Sequence, residues 1–270
     1  MRNTVGDLES YLFDLFPREH CEPWDLCGLS VGDARAEVTG VAIALDPYVA
    51  TIEEAAAQGC NVLLTHHPVY IEPPARFVNR GHGGTDAAAR VVAALRNGVA
   101  LIAMHTNLDR STVAKEALLA TVGLDYAGEL FPTPDGLPSF GCLGTPAGGS
   151  ISLDDLAAVC GESYGVTPRV WGSMTAELEE VAIVNGSSSS LVDDIVDSGV
   201  DCAITGEMSF HRAGELASSG ICIIELGHDV SEFPMLGCLK QAVEASDGFC
   251  DRVRMLGPDI YWWQPRMVGK

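Results

Sequence analysis

This chain writes one pattern twice, and that constrains its fold more than any other feature. Val41-Ala42-Ile43 sits in a β-rich run over 38–45, an Ala/Glu-rich helical pattern follows and stops at Gly59, and Thr65 with His66-His67 behind it comes 24 residues after Val41. Val181-Ala182-Ile183 opens a second run, a helical pattern stops at Gly199, and 24 residues after Val181 comes Thr205, followed by Gly206-Glu207. Downstream, the apolar run Ala100 to Met104 ends in His105-x-x-x-Asp109, and the run from Cys222 to Leu226 ends in Gly227 and His228-x-x-x-Glu232. Agreement in register at Val-Ala-Ile, at Thr and at His-x-x-x-[Asp/Glu] reads as an internal duplication. Strand and helix patterns alternate throughout, which implies an α/β fold with largely parallel strands covered by helices.

The same reading predicts helices over 85–96, from an N-cap at Ser111 to 122, and over 152–161, 188–198, 209–219 and 231–245. Strands are expected at 61–65, 99–104, 181–184, 202–205 and 221–226. The Pro/Gly/Ser-rich stretch 131–150 reads as a linker or an irregular strand–loop segment. The boundary between the repeats is therefore placed at 128/129, giving a first α/β repeat over 1–128 and a second over 129–270. A length of 270 residues suits one doubled unit sharing a site better than two independent domains.

Charge and cysteine usage narrow the function classes. Sixteen Lys+Arg against 37 Asp+Glu leave a formal charge of −21, which argues against nucleic acid and anionic membranes as partners. It leaves phosphate-bearing ligands open, because bound cations supply positive charge locally. None of the nine cysteines forms a C-x-x-C, so neither a zinc ribbon nor a thioredoxin-like dithiol is indicated. Several lie in apolar runs and read as small core hydrophobes. The start lacks an apolar signal core, and no apolar run approaches the ~20 residues of a membrane helix. The expectation is a reduced, cytoplasmic protein.

The chemistry concentrates at strand ends, where parallel α/β sheets bind their ligands. His66, His67, His105 and His228 each follow a predicted strand, and Asp109 and Glu232 lie four residues beyond such a histidine. Histidines with carboxylates are the materials of a hard or borderline metal site. Neighbouring side chains on an extended chain point to opposite sides, so one ion would use His66 and His67 together only awkwardly. Two ions a few ångströms apart would each take one, with Asp109 and Glu232 available to bridge. Each motif alone also has a structural reading. A histidine after a strand is often a cap or a hydrogen-bonded core residue, and the acid of His-x-x-x-Asp can cap a helix.

Thr65-His66-His67-Pro68, His105-Thr-Asn-Leu-Asp109, Thr205-Gly206-Glu207, Gly227-His228-x-x-x-Glu232 and the N-terminal Trp24-Asp25-x-x-Gly28-Leu29 together resemble the Ngg-interacting-factor-three family, also known as GTP cyclohydrolase I type 2-like proteins. The resemblance spans nearly the whole chain. It implies two intertwined α/β repeats with a dinuclear metal centre between them. The ligands it implies are His66, His67, Asp109, His228 and Glu232, with Glu232 as the bridge. It also implies a toroidal hexamer built as a trimer of dimers, and the short gap between the halves leaves no room for the domain some members insert. Two departures stand out. Leu26 occupies a place where the family usually has Asn, and Asn185-Gly186-Ser187-Ser188-Ser189-Ser190 replaces a more glycine-rich turn.

The leading function is a metal-dependent hydrolase-like enzyme using two divalent ions (Zn, Fe or Mn, which this donor set does not rank) on a small-molecule substrate. Glu207 and His105 are the candidate proton-transfer groups. His82, in a Gly-rich loop, and His211, on a helix first turn, are candidate substrate contacts. His20 reads as surface, and Trp262-Trp263 as packing at a core edge or subunit interface. The alternative from another class is a non-catalytic metal-binding regulatory or scaffold protein that assembles into a ring. A structural zinc protein is disfavoured because there is no cysteine set.

Overall fold

Strands that are apolar at every position need cover on both faces, so such a sheet must lie between helical layers. A computed structural model of the chain describes residues 3–78, 86–133, 136–249, 252–257 and 262. The first half runs α1 (Val5–Leu15), β1 (Gly28–Val31), β2 (Val41–Ala44), α2 (Val49–Ala57), β3 (Val62–Thr65), α3 (Ala87–Asn97), β4 (Ala100–Ala103), α4 (Thr106–Asp109) and α5 (Thr112–Thr121). The chain then passes through β5 (Leu124–Glu129), β6 (Cys142–Pro146), β7 (Ile151–Ser152), α6 (Leu153–Tyr164), β8 (Arg169–Trp171) and β9 (Glu177–Leu178). It continues with β10 (Val181–Ser187), α7 (Val192–Ser198), β11 (Cys202–Glu207), α8 (Phe210–Ser218), β12 (Cys222–Glu225), α9 (His228–Ser231), α10 (Phe233–Glu244) and β13 (Val253–Met255).

Two sheets carry the fold, in the orders β1-β4-β3-β2-β13 and β5-β6-β10-β11-β12-β8. In each, three consecutive strands are parallel neighbours, β2-β3-β4 and β10-β11-β12. Thr65 pairs with Ala44 and Ala103, and Thr205 with Val184 and Glu225, so the repeated threonines occupy matching places on the central strands. The added strands β1, β6 and β8 are antiparallel, which makes both sheets mixed. Sheet membership crosses the midpoint of the chain twice. β5 already belongs to the six-stranded sheet, and β13 returns to lie parallel on β2, Val253 opposite Val41.

Side chains alternate along each strand and sort the core into layers. Val41, Ile43, Val62, Leu64 and Ile102 point one way, Val181, Ile183, Ile204 and Ile224 point toward them from the other sheet, and both sets share one core with α1, α5, α6 and α10. The opposite faces are covered by α2 and α3 (Ala42, Leu63, Leu101 against Ile52, Ala55, Val91, Ala94) and by α7 and α8 (Ala182, Ala203, Ile223 against Ile195, Ala213, Leu216). This sandwich holds the two sheets so that their strand ends converge on one place.

Three local expectations are corrected. The 131–150 stretch contains a regular strand, β6, because Cys142 and Leu143 find partners on β10 that local composition does not reveal. The helix expected over 188–198 begins as a 3-10 turn, Ser189–Leu191, after β10 has run on to Ser187. The helix expected over 231–245 is α10, Phe233–Glu244, starting two residues later than expected, and a separate single turn, α9, that was not expected precedes it. Pro234 lies in the first turn of α10, where its missing N–H costs no helical hydrogen bond, so it suits the start of a helix and not its interior. Among the described residues no helix is long and apolar enough to cross a membrane.

Candidate metal centre

The carboxyl ends of both parallel triplets deliver side chains to one cluster. β3 ends into His66-His67, β4 into His105 and the single turn α4 that carries Asp109, and β12 into His228 and, one turn later, Glu232. The ring centroids of His66 and His67 are 5.1 Å apart, those of His66 and His105 5.2 Å, and those of His67 and His228 5.7 Å. His66 and His67 therefore do not turn to opposite sides as an extended strand would demand. The chain leaves the strand at Thr65, and both rings reach Glu232.

Every one of these rings is held from behind. His66 Nδ1 is 3.0 Å from the Met104 carbonyl oxygen, His67 Nδ1 3.0 Å from Asp46 Oδ1, His105 Nδ1 3.0 Å from Asp25 Oδ1 and His228 Nδ1 3.0 Å from Glu207 Oε1. An oxygen acceptor at Nδ1 assigns the proton there and leaves the Nε2 lone pair for the interior, the usual arrangement behind metal-ligating histidine. Glu232 Oε1 lies 3.6 Å from His66 Nε2 and 3.4 Å from His228 Nε2, its Oε2 lies 3.0 Å from His67 Nε2, and Asp109 Oδ1 lies 3.6 Å from His66 Nε2. The ligand atoms of His66, His67 and His105 fall within 4.8 Å of one another, as do those of His67, His228 and Glu232.

These donors fit a cation better than they fit each other. His66 Nε2 and Glu232 Oε2 are buried and make no directed hydrogen bond, the short His67–Glu232 approach included. Leaving a buried polar atom unpaired costs about 1–3 kcal/mol, and a shared cation between imidazole nitrogen and carboxylate oxygen removes that cost. The electrostatics point the same way. Burial disfavours the charged ring of His67, but Asp46 and Glu232 outweigh it and raise its pKa to about 10. Glu232, aided by Glu207, lifts His228 to about 9 against burial. Burial also opposes protonation of His66, yet Asp109 and Glu232 push its pKa upward. Burial would raise Glu232, but His228, His66 and His67 hold it well below the usual carboxylate range. The cluster calls for positive charge, and protons or divalent cations are the two ways to supply it.

The model for Duf34/NIF3 (NGG1p interacting factor 3) matches residues 3–253. The chain belongs to the Duf34/NIF3 family. Two curated relatives are named GTP cyclohydrolase 1 type 2 homolog. The one from Clostridium acetobutylicum is 27% identical over 250 residues, covering 91% of each chain. That from Streptomyces coelicolor is 32% identical over 247 residues, covering 85% of this chain and 82% of its own. The fold is shared with a Bacillus cereus protein related to NIF3 at TM-score 0.85 and 17% identity, over 98% of this chain and 100% of that one.

In this Duf34/NIF3 chain the cluster opens onto two cavities. One, of about 380 Å³, is lined by Glu22, Trp24, His105, Asp109, Phe140 and Asn185 among others, and reaches His228 and Glu232. The other, of about 300 Å³, lies beside His67 and His228 and is lined by Asp46, Tyr48, Asp229 and Trp262. Trp262 donates to Asp229 Oδ2 at 2.9 Å and lines this cavity. His211 sits on the exposed face of α8, edge-on to Phe210 at 5.6 Å, and lines neither cavity. His20 is half-buried, with an unpartnered Nδ1. His82 and Trp263 lie outside the described residues.

Four contributors were missed in the sequence. Asp46 lies two residues past β2 and directly after the run expected over 38–45, so the strand-end rule that selected His66 applied to it as well. Asp25 accepts from His105, from the Thr106 N–H at 3.1 Å and hydroxyl at 2.5 Å, and from the Leu26 N–H at 2.8 Å. Leu26 contributes its backbone N–H to this loop. Those bonds, opposed by burial, hold the Asp25 carboxyl well below its usual range. Asn185 donates to Asp109 Oδ1 at 2.7 Å. Gly186, at φ +60°, lets the backbone approach so closely that a Cβ there would lie 2.5 Å from Glu232 Oε1.

Proposed function

We propose that this protein is a dinuclear metal-dependent, hydrolase-like enzyme acting on a small molecule. The observation that carries the reading is the convergence of the His66, His67 and His228 Nε2 atoms, 3.6, 3.0 and 3.4 Å away, on buried Glu232, each ring held by its own acceptor at Nδ1. His66, Asp109 and Glu232 would hold one ion, and His67, His228 and Glu232 the other, with Glu232 as the bridge. Zn, Fe and Mn all suit this set. When bound, two such ions lower the pKa of a water and polarise a substrate oxygen.

The chain's own residues supply the rest. Asp25 accepts the Nδ1–H hydrogen bond of His105 and fixes the ring, so that Nε2 is presented at the 380 Å³ cavity to accept or give a proton. Glu207 sits on the outer side of His228 and holds its Nδ1 proton; it is the second candidate for proton transfer, from the exposed rim. Trp24, edge-on to His105 at 6.0 Å, and Phe140 offer ring surfaces for substrate in the same cavity. We further propose that the halves 1–128 and 129–270 act as one duplicated unit, that the protein works in the cytoplasm, and that it assembles as a ring-shaped hexamer.

Metal analysis of wild type beside His66→Ala and Glu232→Ala tests the centre. The expected result is about two ions per chain in wild type and loss in both variants. Fewer than one ion per chain in reconstituted wild type ends the dinuclear reading. The loaded protein is then screened against GTP, whose name its relatives carry, and against phosphoesters and cyclic amides. Full metal content with no turnover and no exchangeable water on the metal would favour the scaffold reading instead.

A further inference from the structure

The two ion positions inferred above are not supported alike. Behind His67 and His228 stand full carboxylates, Asp46 and Glu207. On the other side His66 has only the Met104 carbonyl, and its carboxylate partner Asp109 is gripped by a neutral amide, Asn185 Nδ2 to Asp109 Oδ1 at 2.7 Å. That contact joins the two halves of the chain, β10 to α4, across a sequence separation of 76.

We infer that Asn185 is a positioning residue that sets the affinity of the Asp109 ion alone; this rests on the metal reading of the centre. Its place is built. The ladder between β10 and β11 is interrupted between Val184 and Ser187, which leaves Asn185 and Gly186 in a local turn; the Gly186 N–H donates to Ser231 Oγ at 2.9 Å, and Ser231 Oγ donates in turn to the His228 carbonyl at 2.8 Å. The turn is therefore anchored to the helix that carries His228, and the Asn185 side chain extends from it to Asp109. The amide takes one lone pair of Oδ1, the oxygen that also faces His66 Nε2 at 3.6 Å. The carboxylate is thereby fixed in rotation and its remaining lone pairs are aimed at the cluster. An amide does this without adding negative charge to a centre that already holds Asp109 and Glu232.

The test is a titration of metal-free full-length protein with Co²⁺, followed by its visible absorption and by competition with a chelator, for wild type, Asn185→Ala and Asn185→Asp. Wild type is expected to take two ions. In Asn185→Ala one ion weakens about 10–100-fold, as loss of an outer hydrogen-bond partner typically does, while the other is unchanged. Asn185→Asp places an acceptor against an acceptor and weakens the same ion at least as much. Circular dichroism of the metal-free proteins separates a fold defect, which would weaken both ions together. Two unchanged affinities in Asn185→Ala overturn the inference and leave the metal reading standing. So does equal weakening of both ions, or tighter binding by Asn185→Asp, which would make position 185 a ligand. A wild type that takes up no ion overturns both.

Discussion

Replacing Gly186 by Ala isolates the closest backbone approach in the centre. Two costs follow from the structure. Position 186 has φ +60°, where a Cβ costs about 1–2 kcal/mol. That Cβ would also lie 2.5 Å from Glu232 Oε1 and 3.5 Å from His228 Nε2, so Glu232 must withdraw by about 1 Å to regain ordinary contact. Glu232 is buried, and a forced shift of this kind in a packed site adds about 1–3 kcal/mol. Gly199 is the internal control, with φ +75° and nothing within 4 Å of the corresponding Cβ. Gly199→Ala should therefore lose only the backbone part, about 2–8 °C in melting temperature for a chain of this size. Gly186→Ala should lose more, and its metal affinity should fall about 10–100-fold through displaced Glu232 while Gly199→Ala keeps wild-type affinity. Scanning calorimetry of the metal-free proteins and chelator competition read the two effects. Equal stability losses, with unchanged metal binding in Gly186→Ala, would refute the claim that glycine is there to clear the bridging carboxylate.

The metal-free protein should lose stability as pH rises. His67 and His228 have folded pKa values raised to about 10 and about 9, so their contribution is complete below about pH 6.5 and fades between there and about pH 10, read as urea midpoints. At pH 7.5 those rings carry protons that metal ions displace, so calorimetric titration in buffers of different ionisation enthalpy should show about two protons released per chain. No release would sink the ligand assignment. Asp46→Ala should bring His67 of the metal-free protein down toward an ordinary imidazole pKa, followed by NMR, because its Nδ1 acceptor at 3.0 Å is gone. Away from the centre, Lys115 is fully buried and pairs with Glu129 Oε2 at 2.5 Å. Lys115→Ala should cost about 3–5 kcal/mol through the cavity and the lost pair. Lys115→Met fills the space, and Glu129, 40% exposed, can rehydrate, so about 1–2 kcal/mol is expected; equal losses would contradict this division.

Local pattern was enough to read the alternating strands and helices, the doubled unit and the strand-end histidines, because each depends on residues within one turn or one strand. Asn61 to Thr65 is apolar at three successive positions, Val62 to Leu64, and runs into His66 whatever lies elsewhere, and the repeated threonines came out in matching register. The helix expected over 231–245 was also legible locally, and Pro234, which a helix accommodates only in its first turn, marks where α10 begins.

The sequence by itself determined which side chains stand at the carboxyl ends of the strands. Only the tertiary structure decided which of them meet. Asp25 reaches His105 across 80 residues and Asn185 reaches Asp109 across 76, and β13 closes the first sheet from the far end of the chain. Such contacts leave no periodic trace, because they exist only once two sheets share a core and turn their strand ends toward one another. The physical reason is burial. Packing apolar faces together brings the polar strand ends into a common interior, and there histidines and carboxylates are satisfied by each other's protons or by a metal.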